Sequence, residues 1–341
     1  MKRKNVFFII SLVIFQFFAS LLVAQENKTR SFCSEFGLYG IIDEDFNVII
    51  PAKFPYADEF TGKYANVQLS KDVWALVDKE CNVILEKKAL NMFPYSEGWV
   101  VYQGPDFKYN IINERGDYLY KNIYWVTSFS EGLASIKKSS DENCFYINSK
   151  GEIVIDDKNI SYAYQFEQDY AEIIQNKKTG VMNENGEFVI PAKYSSIKNL
   201  NKDLWAVSSN DSMSLLNIKT KDQVDVGNVR SITYFDETKC FINLAADTKV
   251  EFRELSLKTF SYGEKKDSWF IENTEFKGSL FPIRKKNKAG KWVSVIEDVH
   301  GNQVLDIEFD MYCDERNGIF YMQKDGKNYY VNQKGICWSP E

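Results

Sequence analysis

A fixed spacing of 35 residues constrains the fold of this chain more than any other feature of its sequence. An apolar pair followed by a polar residue recurs, and the polar residues are Asp43, Asp78, Asn113, Asn148 and Asn183. The series continues at Asn217, Glu297 and Asn332, and a missing member is expected near residues 252–258. Self-similarity at a fixed period is the mark of a repeat protein. The chain is therefore expected to use one small unit many times.

Each unit contains further elements in phase with this polar anchor. Gly lies three residues after the anchor, as in Asn148 to Gly151, and Gly and Asn both accept left-handed backbone angles, so a hairpin turn is predicted. An alternating strand follows, and two copies of it share the sequence Ile-Pro-Ala-Lys at 50–53 and 190–193. Pro there is expected to end the strand or to lie at a sheet edge.

A third element closes each unit, and its best copy is Phe-Ser-Glu-Gly-Leu-Ala-Ser-Ile at 129–136. Its aromatic residue, polar turn and alternating apolar residues are typical of a half-buried strand. Each unit thus has three to four short strands, and no useful helical periodicity is found. Eight third elements occur, near residues 60, 95, 129, 166, 200, 235, 276 and 312, with a ninth opening hairpin at 328–338.

These units predict an all-β fold of tandem repeats of about 35 residues, because a unit of this size must pack on its neighbours to bury its apolar face. Two architectures fit. A propeller-like ring would use about eight units, and an open β-solenoid would stack the same units without closing. The propeller-like arrangement is favoured.

The pattern resembles the WG-repeat (KWG) family over residues 36–338. The signature Trp-Gly dipeptide is replaced in successive copies by Tyr39-Gly40, Trp74-Ala75, Tyr109-Asn110, Cys144-Phe145 and Thr179-Gly180. The match therefore rests on the turn and strand pattern. The resemblance implies a repeat module used for interaction, and it brings no catalytic residues with it.

The N-terminus is predicted to be a signal peptide over residues 1–24. Lys2, Arg3 and Lys4 precede an apolar run, and Ala24 offers a small residue for cleavage. An uncleaved anchor is the alternative, since a run of roughly 18 apolar residues is at the lower limit for a bilayer. Residues 25–35 are predicted as an N-terminal arm and 36–341 as the repeat domain. The expected location is periplasmic or extracellular, with no membrane span in the mature chain.

Charge and cysteine spacing exclude several classes of partner and site. The chain has a net charge of −6, and the loss of three basic residues with the signal peptide makes it −9. Phosphate backbones repel such a chain, so nucleic acid is not an expected partner. The six cysteines form no C-x-x-C pair. Ring closure would bring the termini together, and Cys33 and Cys337 are then a possible disulfide.

No catalytic, cofactor-binding or metal-binding residues are predicted. The single histidine, His300, falls at a hairpin turn, and a triad or a His-rich zinc site is therefore not expected. The basic stretch 284–291 is interpreted as an exposed loop rather than an anionic-surface contact. The numerous acids Asp43, Asp45, Asp58 and Glu59 leave a pair of glycosidase carboxylates conceivable. The tryptophans are expected in packing between repeats.

The function expected from these observations is that of an exported, non-enzymatic repeat protein, a binding or scaffold module for protein partners. Its partner is an unidentified protein or a cell-envelope glycan. One alternative is a carbohydrate-binding module that uses exposed aromatic side chains. The other, from a different class, is a glycan hydrolase with paired carboxylates.

Overall fold

The computed structural model describes residues 28–209, 212–236, 239–245, 250–266, 270–271, 279–298 and 301–340. These residues form antiparallel strands in nine sheets, with no helix among them. The signal-peptide prediction, His300 and the third element near residue 276 lie outside this part of the chain.

The first five sheets contain nineteen strands, taken here in chain order. They are β1 (Thr29–Cys33), β2 (Tyr39–Asp43), β3 (Val48–Phe54); β4 (Tyr56–Ala57), β5 (Ala65–Ser70), β6 (Val73–Val77), β7 (Val83–Lys88); β8 (Asn91–Met92), β9 (Val100–Gln103), β10 (Tyr109–Ile112), β11 (Tyr118–Ile123); β12 (Trp125–Val126), β13 (Leu133–Lys137), β14 (Phe145–Asn148), β15 (Ile153–Ile155); β16 (Ile160–Ala163), β17 (Tyr170–Gln175), β18 (Lys178–Asn183) and β19 (Phe188–Tyr194).

The last four sheets contain the remaining fifteen strands. They are β20 (Ser196–Asn199), β21 (Leu204–Ser209), β22 (Ser212–Asn217), β23 (Gln223–Gly227); β24 (Val229–Asp236), β25 (Lys239–Ala245), β26 (Val250–Ser256), β27 (Tyr262–Lys266); β28 (Phe270–Ile271), β29 (Leu280–Lys286), β30 (Trp292–Asp298); β31 (Met311–Arg316), β32 (Ile319–Lys324), β33 (Lys327–Asn332) and β34 (Cys337–Trp338).

The sheets repeat the order of the sequence elements, because every sheet is a meander of neighbouring strands. The apolar pair lies at the end of a central strand and the polar anchor is the last residue of that strand or follows it, as in β2, β18 and β6. The anchor missing from the sequence series is confirmed, since β26 (Val250–Ser256) occupies its place between β25 and β27.

The all-β, propeller-like fold class is confirmed, and the structure has nine sheets where about eight units were expected. The additional sheet arises at the termini. The ninth opening hairpin at 328–338 does not stand outside the sheets, because β33 and β34 belong to a complete four-stranded sheet. Residues 29–33 are likewise part of the ring rather than a separate arm, since β1 pairs with β2 from Thr29↔Asp43 to Cys33↔Tyr39.

Apolar side chains fill the joints between successive sheets. Between the third and fourth sheets Val101, Ile111 and Ile123 pack against Phe129 and Ile136. Each strand contributes apolar side chains to both faces of its sheet, since neighbouring side chains in a β-strand point to opposite sides. The first six sheets and the ninth are therefore each packed between two neighbours, as the repeat argument requires.

The first and ninth sheets are in contact, which distinguishes a closed ring from an open solenoid. Phe32 and Ile42 of the first sheet pack against Ile319 and Tyr330 of the ninth. Polar contacts accompany them: Asn332 Nδ2 donates to the Glu44 carbonyl over 2.8 Å. An open stack would leave these two faces in solvent.

The expected disulfide between Cys33 and Cys337 is not formed, and the cysteines are free thiols. Both residues belong to the terminal sheets, but Cys337 packs into the joint between the eighth and ninth sheets. The Tyr330 hydroxyl accepts the Cys33 backbone N–H at the joint with the first sheet. The two residues therefore lie at different joints, so ring closure alone does not pair their thiols.

The Ile-Pro-Ala-Lys strands contain a bulge that explains the glycine of the repeat. In β18 and β19 the pairs are Thr179↔Tyr194 and Val181↔Ile190, so Gly180 alone lies opposite residues 191–193. A Cβ on Gly180 would meet the Ala192 backbone nitrogen at 2.8 Å. Three residues opposite one bring the two backbones close, which favours glycine. The proline lies inside an edge strand, as one of the two expectations had it.

Candidate functional site

The polar anchors stabilise the turn that follows them. Oδ1 of Asp43 accepts the backbone N–H groups of Asp45 and Asn47, and its other oxygen accepts the Asn47 side chain at 2.9 Å. In six sheets the anchor and the residue four positions later form a pair of one amide and one carboxylate, and in the eighth sheet the anchor is Asp298 rather than the expected Glu297. Those pairs are Asp43/Asn47, Asp78/Asn82, Asn113/Asp117, Asn148/Glu152, Asn183/Glu187 and Asp298/Asn302. Their acids are thus turn components.

The Ser-Glu-Gly turns connect neighbouring sheets. Ser130 Oγ donates to the Phe166 carbonyl over 2.6 Å, and Ser96 makes the same bond to Phe129. The Glu131 carboxylate accepts the backbone N–H of Asp169 at 2.8 Å. Such side-chain-to-backbone bonds fix one sheet against the next. This motif is therefore a connector between sheets.

The carboxylates considered for glycoside hydrolysis have structural partners. Asp45 pairs with Lys334 of the ninth sheet at 2.7 Å. Asp58 accepts the Tyr56 hydroxyl at 2.7 Å, and burial, opposed by that bond, raises the Asp58 pKa. Glu59 accepts the hydroxyl of Ser31 at 3.2 Å and pairs with Arg316 at 3.4 Å. The ion pairs with Lys334 and Arg316 reach the ninth sheet, whereas the bonds to Tyr56 and Ser31 lie within the first two sheets.

The basic stretch 284–291 lies in the hairpin of β29 and β30, and most of its cations have partners. Lys285 Nζ lies 2.8 Å from Glu297, and Lys291 lies 2.9 Å from Asp310. Lys286 lies 5.6 Å from the centre of the Trp292 ring. These contacts neutralise part of the charge and are consistent with an exposed hairpin.

Two tryptophans are buried between sheets, as expected: Trp74 and Trp205 are 7 % and 2 % exposed. Trp99, Trp125 and Trp338 are half-buried in aromatic contacts with Phe129, Tyr162 and Phe32. Trp292 is the exposed exception, at 44 %. The side chain of Trp269 lies outside the described part.

Sequence reasoning missed Glu172 in β17. This carboxyl faces the packed joint, and its burial, assisted by the nearby Glu167, raises its pKa to about 7. The strand pattern gave a hint, because in the best copy of the repeat the same position holds the buried Ser135.

No group of three or more His, Cys, Asp or Glu side chains in the described ranges is arranged to hold a metal ion.

An apolar stripe, missed from the sequence, lies on the edge strands of the first five sheets. Its members are the first residues of those strands, and each is between 39 and 51 % exposed. They follow one another at the 35-residue spacing: Val48, Val83, Tyr118, Ile153 and Phe188. The sixth sheet has the polar residue Gln223 at this position. The stripe therefore covers one arc of the ring.

An open groove of about 410 Å³ lies at the joint between the sixth and seventh sheets. Its apolar floor includes Leu204 and Leu215, and Phe260 stands beside it, 38 % exposed. The polar lining consists of Asn201, Asp203, Asn217, Thr220 and Asp222. Pockets of this size with an apolar body and a few polar groups are typical of small-molecule sites.

Comparisons with known proteins agree with this architecture. The family model of the WG containing repeat matches residues 39–72 and 180–211. No curated protein matches the chain in sequence. No helix in the described part is long and apolar enough to cross a bilayer.

Several solved structures are similar in fold at low identity. A eukaryotic initiation factor is 10 % identical with a TM-score of 0.56, covering 92 % of this chain and 95 % of that chain. The dihydro-heme d1 dehydrogenase NirN in complex with DHE is 11 % identical with a TM-score of 0.48, covering 92 % and 72 %. BamB from Moraxella catarrhalis is 8 % identical with a TM-score of 0.43, covering 82 % and 95 %. At such identities the first likeness shows the fold alone. The chain is a propeller-like repeat protein in which residues 39–72 and 180–211 match the model of the WG containing repeat.

Proposed function

We propose that this protein is an exported, non-enzymatic scaffold that binds protein partners along its apolar stripe. The observation that carries the proposal is the recurrence of an exposed apolar side chain in five consecutive sheets. Single exposed apolar residues are normal on any surface. A row at one structural position, on strands whose outer edge is unpaired, favours an interface.

The stripe also offers backbone groups for recognition. Its residues begin β3, β7, β11, β15 and β19, which are edge strands. An extended segment of a partner can pair with such an edge and place its own apolar side chains beside the stripe. Export rests on the predicted signal peptide, residues 1–24, and catalysis is not part of the proposal.

The test is a pull-down with the folded chain 25–341 against envelope extract. The variant carries Val48→Ser, Val83→Ser, Ile153→Ser and Phe188→Ser. A matched control carries Phe36→Ser and Phe107→Ser, since these residues are 80 % and 71 % exposed outside the stripe. Circular dichroism confirms that all three proteins are folded.

We expect the same protein to be captured by the unmodified chain and by the control, and lost from the stripe variant. Capture that is unchanged in the stripe variant would remove the stripe from the interface. If the unmodified chain enriches no protein over the resin, the scaffold proposal is wrong.

A further inference from the structure

We infer that the groove between the sixth and seventh sheets is a carbohydrate-binding subsite, with Phe260 as its stacking surface. This goes beyond the scaffold proposal, because none of the residues that line the groove belongs to the apolar stripe. The first observation is the backbone conformation of the exposed Phe260.

In every sheet, the turn that follows the polar anchor contains one residue with a positive φ. Five of the nine are glycines: Gly116, Gly151, Gly186, Gly301 and Gly335. Phe260 occupies this position in the seventh sheet, with φ at 50°. A bulky side chain in the left-handed region is unfavourable relative to glycine. Phe107, with φ at 62°, and Lys221, at the same position of the sixth sheet with φ at 66°, are also exposed, so the conformation alone does not mark a site.

Burial offsets the cost where a phenylalanine occurs elsewhere in this position. Phe46, with φ at 66°, is 8 % exposed and stacks on Trp338 at the closing joint. Phe260 is 38 % exposed and lines an open groove instead. Packing therefore accounts for Phe46, whereas the ring of Phe260 is left exposed beside the groove, where it can serve as a stacking surface for a ligand.

The polar lining selects the class of ligand. Oδ1 of Asn201 and Oδ1 of Asn217 are occupied by backbone N–H groups, which directs their amide nitrogens away from those bonds as donors. Asp203 and Asp222 supply carboxylate acceptors in the same groove, and neither forms an ion pair within the described chain. The groove therefore offers both hydrogen-bond donors and hydrogen-bond acceptors to a ligand.

A sugar hydroxyl both donates and accepts a hydrogen bond, so it can use both kinds of group. An ammonium ion only donates, and it would leave the two amide nitrogens unused. The apolar face of a pyranose ring can pack on Phe260 and the leucine floor. A groove of about 410 Å³ accommodates a sugar unit. The observations therefore favour a neutral sugar over a lysine side chain.

Titration calorimetry on the chain 25–341 tests the inference. The probes are cellobiose, maltose and diacetylchitobiose, each to 20 mM, with lysine amide as the cationic comparison. At least one disaccharide is expected to bind with a Kd near or below about 1 mM. Phe260→Gly and Asp222→Ala should each weaken that binding at least tenfold, and Phe107→Gly should leave it unchanged.

Phe260→Gly also separates binding from folding, since it should raise the melting temperature while abolishing sugar binding. A variant with lowered stability and unchanged sugar affinity would assign Phe260 a structural role and overturn the inference. The inference also fails if no disaccharide binds at 20 mM, or if lysine amide binds more tightly than every sugar.

Discussion

At the scale of single residues, the acids of this chain belong mainly to turns and joints. The six pairs of one amide and one carboxylate are an example. The carboxylate accepts a hydrogen bond from the amide, and no pair contains two like charges. Asn113 faces Asp117, whereas Asp78 faces Asn82. The side-chain bond from Asn82 lowers the pKa of Asp78. The acid is therefore the first member of the pair in some sheets and the second member in others, and the turn is preserved in both cases.

This pairing predicts the effect of Asn148→Asp. The new carboxylate would stand against Glu152, whose carboxylate now accepts the Asn148 amide at 2.8 Å. We expect a loss of roughly 0.5–1 kcal/mol at pH 7, because exposed charge pairs are weak. Urea denaturation measures it. Adding Glu152→Asn should restore the stability, and an unrestored double variant would contradict the explanation.

Glu172 predicts a dependence of stability on pH. Its folded pKa, raised to about 7 by burial and then by Glu167, lies above the usual value of about 4.3 in an unfolded chain. The folded state therefore binds the proton more tightly. The stabilisation is complete below about pH 4 and is lost as the pH rises through 7.

Comparison of Glu172→Gln with the unmodified chain checks this sign. The variant should gain in melting temperature relative to the unmodified chain as the pH rises from 4 to 8. Glu167→Gln is the control, since it keeps the buried acid and removes only the lesser contribution. An equal difference at pH 4 and pH 8 would show that Glu172 does not titrate in this range.

At the scale of elements, the glycine of the repeat depends on the strand beside it. Gly180 faces the bulge of residues 191–193, whereas Ala75 pairs regularly with Glu86 in the second sheet. Ala75 is fully buried yet keeps its Cβ. The Trp-Gly signature can therefore lose its glycine where the strands pair regularly, as at Ala75, and Asn110 replaces it opposite a bulge that is one residue shorter.

Gly180→Ala should accordingly destabilise the fold by about 1–3 kcal/mol, because the Cβ would lie 2.8–2.9 Å from backbone atoms of residues 190 and 192. The matched change Ala75→Gly should cost only about 0.5–1 kcal/mol through chain entropy. Chemical denaturation of both variants measures the difference. Equal costs would contradict the assignment of Gly180 to the bulge.

The elements were largely predictable from sequence, because spacing and alternation identify strands directly. The anchor strand in the seventh sheet was found at its expected place even though its anchor there is Ser256. The site was less predictable. Phe260 lies in a turn where the sequence shows only a replaced glycine, and the groove needs Asp203 and Leu257 from different sheets. Such convergence depends on packing, which local patterns do not contain.

At the scale of the whole molecule, ring closure joins residues far apart in the chain. Arg30 is 4 % exposed and forms an ion pair with Asp314, and Asn317 donates to the Thr29 carbonyl over 2.8 Å. The closing joint contains both polar and aromatic contacts, including Phe32 against Trp338. The sequence left ring and solenoid open, because repeats of this length fit both.

Small-angle X-ray scattering of the chain 25–341 tests this closed ring most directly. A compact protein of this size has a radius of gyration of about 20 Å. Nine sheets stacked openly at about 10 Å would extend about 90 Å, with a radius of gyration above about 26 Å. The closed ring predicts a value near the first figure with a compact distance distribution. A value near the second, with a rod-like distribution, would contradict it.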